Sequence, residues 1–229
     1  MKIGITKTEA RFEKYINWLD HFQISYVILD FENHEEGLRR FEECNGLLLT
    51  GGVDIYPEIY CDRDTTETKG TYNPERDAFE LKILETALIK KMPILAVCRG
   101  LQLVNIHYRG SLISDLEEIR NVNHRKVSPG EDRLHNVNIF EHTLLHEITN
   151  EDSAIVTSSH HQAIDRIGEG LIINAKSDDG IIEGIEYQDK SGSPFFIGVQ
   201  WHPERFKDLN APASKNILEK FISECTNEL

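Results

Sequence analysis

The chain lacks long apolar runs and long basic runs. Its 229 residues contain no stretch near the roughly 20 consecutive apolar residues of a membrane-spanning helix, and lysine and arginine form no run longer than two. With 25 basic and 39 acidic residues, the formal net charge is −14, so the overall field repels nucleic acids and anionic membranes. We therefore expect a cytoplasmic protein that acts on a small molecule, without nucleic-acid or membrane partners, and able to form a homodimer.

Cysteine is also scarce, and its spacing excludes two common roles. No two cysteines form a CxxC pair, which argues against a disulfide framework and against a zinc ribbon. Each cysteine must therefore be judged by its own surroundings. Three of them lie in no context typical of a reactive thiol, and we expect these to be structural or incidental: Cys44, Cys61 and Cys225.

The first hundred residues alternate short apolar runs with helical stripes, which is the pattern of a parallel sheet covered by helices. A helix over residues 74–90 is predicted between Pro74 and Pro93, since proline is favoured at helix starts and just after helix ends. A chain of 229 residues fits one large domain, 1–229. The predicted strands are Lys2 to Thr6, Tyr26 to Leu29, Gly46 to Thr50 and Ile94 to Cys98.

The second half is less regular but still rich in strand patterns. The polar segment 121–136 predicts a surface excursion near the site, and a last helix is expected over 214–224. These elements favour a mixed α/β sandwich. Further strands are predicted at 137–140, 154–157, 171–175, 181–187 and 195–200.

Cys98 is the cysteine whose context indicates chemistry. An apolar strand pattern ends at Cys98, and a helix pattern starts after Arg99 and Gly100. A sharp strand-to-helix turn exposes its nucleophile, and the N-terminus of the helix directs N–H groups and positive dipole charge at the sulfur. Both effects favour the thiolate, so we expect a reactive cysteine.

Two further motifs can complete a site around this thiol. Gly51 and Gly52 follow a buried strand, and paired glycines let backbone N–H groups approach an oxyanion closely. His202 and Glu204 flank a proline at the end of another strand, which suits an imidazole whose second nitrogen is held by a carboxylate. Cys98, His202 and Glu204 can therefore form a nucleophile, a base and an orienting group.

These motifs resemble the class I glutamine amidotransferase superfamily, and within it the γ-glutamyl-γ-aminobutyrate hydrolase family of C26 cysteine peptidases. Cysteine followed by Arg-Gly-x-Gln, together with Ser-x-His-Gln, favours this hydrolase branch over glutaminases coupled to a synthetase. The motifs stand in family order between about residues 46 and 205. They are Thr50 to Asp54, Cys98 to Asn105, Ser159 to Gln162 and Gln200 to Glu204.

The resemblance implies a flavodoxin-like three-layer α/β sandwich with a mainly parallel central sheet. It implies hydrolysis of a γ-glutamyl amide without cofactor or metal, with Cys98 forming a γ-glutamyl thioester, His202 relaying protons and Glu204 orienting the imidazole. Backbone N–H groups of Gly52 and Arg99 would form the oxyanion hole. The residues implied to line the glutamyl pocket are Gln102, Ser159, His160 and His161.

The chain also departs from the family pattern. Ala96 stands two residues before Cys98, where glycine is usual, and the run 106–112 places bulk where a Gly-Gly pair is usual. We expect the turn at Cys98 to tolerate the alanine, and specificity to differ. The leaving amine stays open, as does the alternative of a glutaminase subunit or a catalytically silent binding module that serves a partner enzyme.

Other polar residues are expected to have ordinary roles. Asp77 and Glu80 are predicted to lie on the solvated face of an amphipathic helix, and Glu183 at an exposed strand position. His142 and His146 have the i, i+4 spacing of a helical metal site, but no glutamate follows the first histidine and no third ligand is evident. We expect no metal there.

Overall fold

A computed structural model gives the structure of the protein and describes residues 1–60 and 70–226; Cys61 lies outside these ranges. The helices are α1 (Phe12–His21), α2 (His34–Phe41), α3 (Pro74–Ile89), α4 (Arg99–His107), α5 (Leu116–Arg120), α6 (Leu144–Thr149) and α7 (Pro212–Thr226). The strands are β1 (Ile3–Thr6), β2 (Tyr26–Leu29), β3 (Gly46–Leu49), β4 (Ile94–Val97), β5 (Ser111–Ile113), β6 (Arg133–Ile139), β7 (Ser153–Ser158), β8 (Ala163–Arg166), β9 (Leu171–Ser177), β10 (Ile182–Tyr187) and β11 (Phe196–Val199).

The strands form one mixed sheet around a parallel centre. The strand order β2-β1-β3-β4-β11 is parallel throughout, which confirms the predicted α/β fold. Strands β10, β9, β6 and β7 extend the sheet in antiparallel pairing, and β8 joins β10 to β5. This antiparallel extension and the short strands β5 and β8 were not predicted.

Helices cover both faces of the parallel strands, giving three layers. Side chains of α2, α3 and α4 pack on Leu47 and Leu49 of β3, whereas α1 and α7 pack on Leu48 from the other side. Because neighbouring residues of a strand point to opposite faces, a continuous apolar run is needed when both faces are covered. Within the described ranges, no helix is long and apolar enough to span a bilayer.

The segment 121–136, predicted as a surface excursion, only partly remains one. Its last residues, from Arg133 onward, belong to β6, and His124 is 2% exposed. The start of β6 gave a weak strand signal, because Arg133 and His135 occupy the same face as the buried Val137 and Ile139, whereas the apolar Leu134 is 58% exposed.

Helix α3 begins as predicted, but its charged residues are not solvated. Pro74 opens the helix, and the Asn73 side chain accepts a hydrogen bond from the Arg76 backbone N–H at 3.1 Å. The prediction of a solvated face for Asp77 and Glu80 is wrong, since both side chains have no exposed surface. They face the start of α4 instead of water.

A buried ion network joins α3 to α4. Glu80 accepts a hydrogen bond from Arg76 Nε at 2.9 Å, and the Arg99 guanidinium pairs with both Glu80 and Asp77. Arg76 also donates to the carbonyl oxygen of Gly51 at 2.8 Å. Two arginines and two buried carboxylates thereby pair with one another, and the partly exposed Glu9 lies 2.7 Å from Arg76. Each buried charge thus has a partner of opposite sign, which buried charges require.

Removal of Glu80 should destabilise the protein strongly. We expect Glu80→Ala to lower the free energy of unfolding by about 3–5 kcal/mol, because two buried guanidinium groups lose their shared partner. The measurement is urea unfolding of both proteins. Glu85→Ala is the control, since Glu85 lies on the same helix with half of its side chain exposed and should change stability by less than about 0.5 kcal/mol. Equal effects of the two substitutions would contradict the role of the network.

Candidate active site

Cys98 lies in a strained turn between β4 and α4. Its backbone has φ 53° and ψ −105°, a conformation rare for a residue with a side chain. The turn is held because the Cys98 N–H donates to the carbonyl oxygen of Val199 at 2.8 Å. A β-carbon at Gly100 would lie 2.6 Å from the carbonyl oxygen of Leu49, so glycine is required for α4 to start this close to β3. The turn forms with Ala96 two residues earlier.

The Gly51-Gly52 segment lies beside this turn because β3 and β4 are neighbours. A β-carbon at Gly51 would lie 3.0 Å from Cε1 of His202 and 3.5 Å from the β-carbon of Cys98. Gly52 has φ +152°, and a β-carbon there would lie 1.9 Å from Arg76. Gly52 therefore needs to be glycine, Gly51 leaves little room for a side chain, and the segment is packed between the thiol, the imidazole and the ion network.

His202 follows β11, which pairs with β4 along the edge opposite β3. Its Nδ1 lies 2.8 Å from Oε1 of Glu204, and the same oxygen accepts a hydrogen bond from Nε of Arg205 at 3.0 Å. Thr157 fixes the backbone by donating its hydroxyl to the carbonyl oxygen of His202 at 2.7 Å. The carboxylate holds one ring nitrogen and leaves Nε2 available for proton transfer.

A cavity of about 390 Å³ opens at this edge of the sheet. It brings together five of the residues predicted from the sequence, which are Gly52, Cys98, Ser159, His161 and His202. Among the described residues, the others that line it are Ala10, Arg11, Arg125, Lys126 and Arg205.

The remaining predicted residues lie behind the cavity lining. The Arg99 backbone N–H points to the Cys98 sulfur, while its side chain joins the ion network. Gln102 donates to Oε1 of Gln200 at 3.1 Å, and Gln200 in turn lies 3.4 Å from the Cys98 sulfur. Gln102 therefore supports a residue that touches the thiol. His160 is buried and faces Glu183 rather than the cavity.

The prediction of an exposed position for Glu183 is wrong. Its side chain has no exposed surface, and Oε1 lies 3.3 Å from Nε2 of His160. Burial opposes ionisation, but the imidazoles of His160, His124 and His135 hold the pKa of Glu183 well below its ordinary value. An exposed position was expected because alternate residues of a strand at the surface face water. In β10, the loops that carry His124 and His160 cover that face.

Four basic side chains of the cavity were missed by sequence reasoning. Arg11, Arg125, Lys126 and Arg205 contribute to its lining, in a protein whose net charge is −14. Asp132 lies beneath two of them, 2.8 Å from Arg11 and 3.4 Å from Arg205. The available signal was the position of Arg125 and Lys126 in the polar segment 121–136. Arg205 also pairs with Glu204 and Arg125 with Asp115, so ion pairs balance much of this charge, and the exposed Lys126 is the group best placed to meet an anionic ligand.

Burial decides the protonation state of the thiol. It raises the pKa of Cys98 to about 12, although the Arg205 charge and the Arg99 backbone N–H lower it. Burial and Arg205 also lower the pKa of His202, against the opposing effect of Glu204. A neutral thiol beside a neutral imidazole is the expected pair at neutral pH. The helix N-terminus predicted a thiolate, and desolvation outweighs that effect here.

Taken together, the site has the parts needed for acyl transfer: a cysteine on a strained turn, an imidazole held by a carboxylate, and the backbone N–H of Arg99 beside the sulfur. The glutaminase domain of Trypanosoma brucei CTPS has a similar fold, with a TM-score of 0.63 and 14% identity over 100% of this chain and 96% of that chain. A glutamine amidotransferase from Methylobacillus flagellatus gives 0.59 and 16% over 90% and 71%. The fold is thus that of class I glutamine amidotransferases.

Sequence comparison defines the family within this class. The sequence model described as peptidase C26 matches residues 4–204, and the chain belongs to the peptidase C26 family. NtpR of Enterococcus hirae is 34% identical over 86% of this chain and 82% of its own length. The γ-glutamyl-γ-aminobutyrate hydrolase PuuD of Escherichia coli K12 is 29% identical over 97% and 89%. These relatives identify a glutamine amidotransferase-like hydrolase.

The protonation state of Cys98 can be tested by thiolate absorbance. We expect no difference in thiolate absorbance between the wild type and Cys98→Ala from about pH 6 to pH 9, because a thiol with a raised pKa stays protonated there. The other cysteines cancel in the difference spectrum. In urea the same pair should show a thiolate with the ordinary pKa of about 8.5. A thiolate signal from folded Cys98 at neutral pH would contradict the neutral pair.

Proposed function

We propose that this protein hydrolyses the γ-glutamyl amide bond of a small γ-glutamyl compound, such as γ-glutamyl-γ-aminobutyrate, and releases glutamate and an amine. One observation carries the proposal: Cys98 and His202 line the same cavity, and Glu204 holds Nδ1 of His202. The relationship to PuuD supports the substrate class.

In the proposed first step, Nε2 of His202 takes the thiol proton while the Cys98 sulfur attacks the γ-carbonyl carbon. The carbonyl oxygen becomes an oxyanion that accepts hydrogen bonds from the backbone N–H groups of Gly52 and Arg99. Each such donor lowers the barrier by about 3 kcal/mol in comparable sites. Proton transfer in concert with attack suits a thiol that burial keeps neutral.

In the second step the imidazolium of His202 gives its proton to the leaving nitrogen, and the C–N bond breaks. The amine departs and a γ-glutamyl thioester on Cys98 remains. His202 then takes a proton from water as the water oxygen attacks the thioester carbon. The C–S bond breaks, glutamate is released, and the proton passes from His202 to the sulfur to regenerate the thiol. Glu204 stabilises the imidazolium in both steps and holds the ring orientation.

The basic lining of the cavity supports an anionic substrate. A γ-glutamyl compound carries an α-carboxylate, and γ-aminobutyrate as the leaving amine adds a second carboxylate. Lys126 is exposed at the mouth, where it can meet such a carboxylate, whereas Arg125 already pairs with Asp115 at 2.5 Å. Ser159 and His161 are proposed to contact the glutamyl end directly, whereas Gln102 and His160 would act through the residues they hold.

The test is glutamate release from a substrate panel. We expect wild type to turn over γ-glutamyl-γ-aminobutyrate with a higher kcat/KM than γ-glutamyl compounds of uncharged amines, and Cys98→Ala to lose about 10⁴-fold or more in kcat. Cys44→Ala is the matched control, because Cys44 is a half-buried cysteine that packs against the core away from the cavity. Equal turnover by wild type and Cys98→Ala would overturn the proposal. Preference for free glutamine, seen with an added partner enzyme, would favour the glutaminase alternative.

The pH dependence follows from the lowered pKa of His202. A general base works in its neutral form, which exists above its pKa, so kcat/KM should fall only below about pH 6.5, the ordinary value for histidine. Glu204→Gln removes a charge that raises this pKa, so the acid limb should move to still lower pH while kcat falls by about 10²–10⁴-fold. An acid limb centred above pH 7 would contradict a neutral resting imidazole.

A further inference from the structure

A second set of titratable side chains lies on the other side of the Ser159 to Gln162 turn. It consists of His124, His135, His160 and Glu183, called here the histidine cluster. His135 comes from β6 and Glu183 from β10, whereas His124 precedes β6 and His160 follows β7. The proposed reaction uses His160 only indirectly, through the residues it holds, and does not use the other three side chains. His124, His160 and Glu183 are at most 4% exposed.

In two of the imidazoles, the ring nitrogen that faces away from Glu183, called here the outer nitrogen, lies against a group that only accepts hydrogen bonds. His124 Nε2 lies 2.9 Å from a carboxylate oxygen of Asp179, and His160 Nδ1 lies 2.9 Å from the carbonyl oxygen of Gln162. A neutral imidazole has one N–H, so each ring must place it on the outer nitrogen. The inner nitrogens, Nδ1 of His124 and Nε2 of His160, then carry lone pairs.

These lone pairs face another acceptor. Oε1 of Glu183 lies 3.1 Å from Nδ1 of His124, 3.3 Å from Nε2 of His160 and 3.6 Å from Nε2 of His135. Among the described residues, neither oxygen of Glu183 and neither nitrogen of His135 has a partner with hydrogen-bond geometry. Positive charge must therefore lie among these atoms, either as extra protons on buried imidazoles or as a cation.

We propose that the histidine cluster binds one zinc ion through His124 Nδ1, His135 Nε2 and Glu183 Oε1, with His160 Nε2 beside them as the fourth ligand. Donor atoms of the first three residues lie within 4.8 Å of one another. A tetrahedral zinc ion with bonds of about 2.0–2.1 Å separates its ligands by about 3.3–3.4 Å. The distances from Glu183 Oε1 to the three imidazoles, and 3.2 Å between His124 and His160, are close to these edges. His160 lies outside the set whose donor atoms are all within 4.8 Å, so the imidazoles of His135 and His160 must approach each other when the ion binds.

The surroundings of the cluster suit zinc. Neutral imidazoles with one carboxylate form a common zinc ligand set, and zinc ligands usually donate their outer N–H to a carboxylate or a backbone carbonyl. Asp179 and Gln162 supply such acceptors here. Because three of the four ligands are buried and His135 is 14% exposed, we infer a structural ion rather than one that activates water.

The proposed ion would brace the cavity wall. Ser159 and His161 line the cavity and flank His160. The backbone N–H of His160 donates to the carbonyl oxygen of His124 at 3.2 Å. A bond from zinc to His160 would tie this turn to β10 and β6. The sequence predicted no metal, because these four ligands stand far apart in the chain and match no short spacing pattern.

Zinc binding can be measured independently of catalysis. The protein is the full chain without a histidine tag and with Cys98→Ala, so that zinc cannot bind at the catalytic thiol. We expect one zinc per chain by elemental analysis, and one Co²⁺ per metal-free chain with the strong visible absorption of tetrahedral cobalt. Competition with a chromophoric chelator gives the zinc affinity.

Variants in this background identify the ligands. Glu183→Gln and His135→Asn should each weaken zinc binding by about 100-fold or more, and Asp179→Asn by about 10–100-fold as the loss of an outer partner. The control is His146→Asn, since His146 pairs with Asp152 outside the cluster and should leave the affinity unchanged. Asp179 is partly exposed, so Asp179→Asn keeps the test valid if Glu183→Gln fails to fold.

The alternative is a cluster that holds only protons. A Cys98→Ala protein that binds no stoichiometric zinc or cobalt, or whose affinity is the same in Asp179→Asn and His146→Asn, would overturn the zinc proposal. Neither result bears on hydrolysis by Cys98, which the substrate panel tests separately.

Discussion

The parallel pairing of β3, β4 and β11 is the constraint on which the candidate active site depends. Leu49 pairs with Ala96, and Val97 pairs with Val199, so the three strands end together. Because carboxyl ends of parallel strands lie at one edge of a sheet, the loops that follow must meet there. Gly52, Cys98 and His202 reach one cavity for this reason. The hydrogen bond from the Cys98 N–H to Val199 extends the same pairing into the turn.

Buried charge then fixes the details at this edge. Arg76 holds the carbonyl oxygen of Gly51, and Glu80 links Arg76 to Arg99 at the start of α4. One network thereby orients the two backbone segments proposed to hold the oxyanion, and its members lie out of contact with water. Removing solvent from the site strengthens such fixed dipoles. The same desolvation keeps the Cys98 thiol neutral, so proton transfer to His202 belongs to the proposed reaction.

The sequence was most informative where local pattern and local chemistry coincide. Continuous apolar runs predicted the strands buried on both faces, and Pro74 predicted the start of α3. The strand-to-helix break identified Cys98, because its turn is made by neighbouring residues. Predictions failed at Asp77, Glu80 and Glu183, where a charged residue with a helical or strand spacing suggested water on the outer face. The residues that cover that face come from segments far away in the chain. The periodicity of one helix or strand carries no information about those segments.

By itself, therefore, the sequence determined the α/β class, the parallel centre and the family to which the chain belongs, since these follow from periodicity and from short motifs. Only the tertiary structure decided which polar groups share a site. It placed four basic residues around the cavity of an acidic protein, put His160 behind the lining, and assembled the histidine cluster from four separate segments. The physical reason is that strand pairing and loop packing set distances between residues far apart in the chain, and those distances determine charge, protonation and ligand geometry.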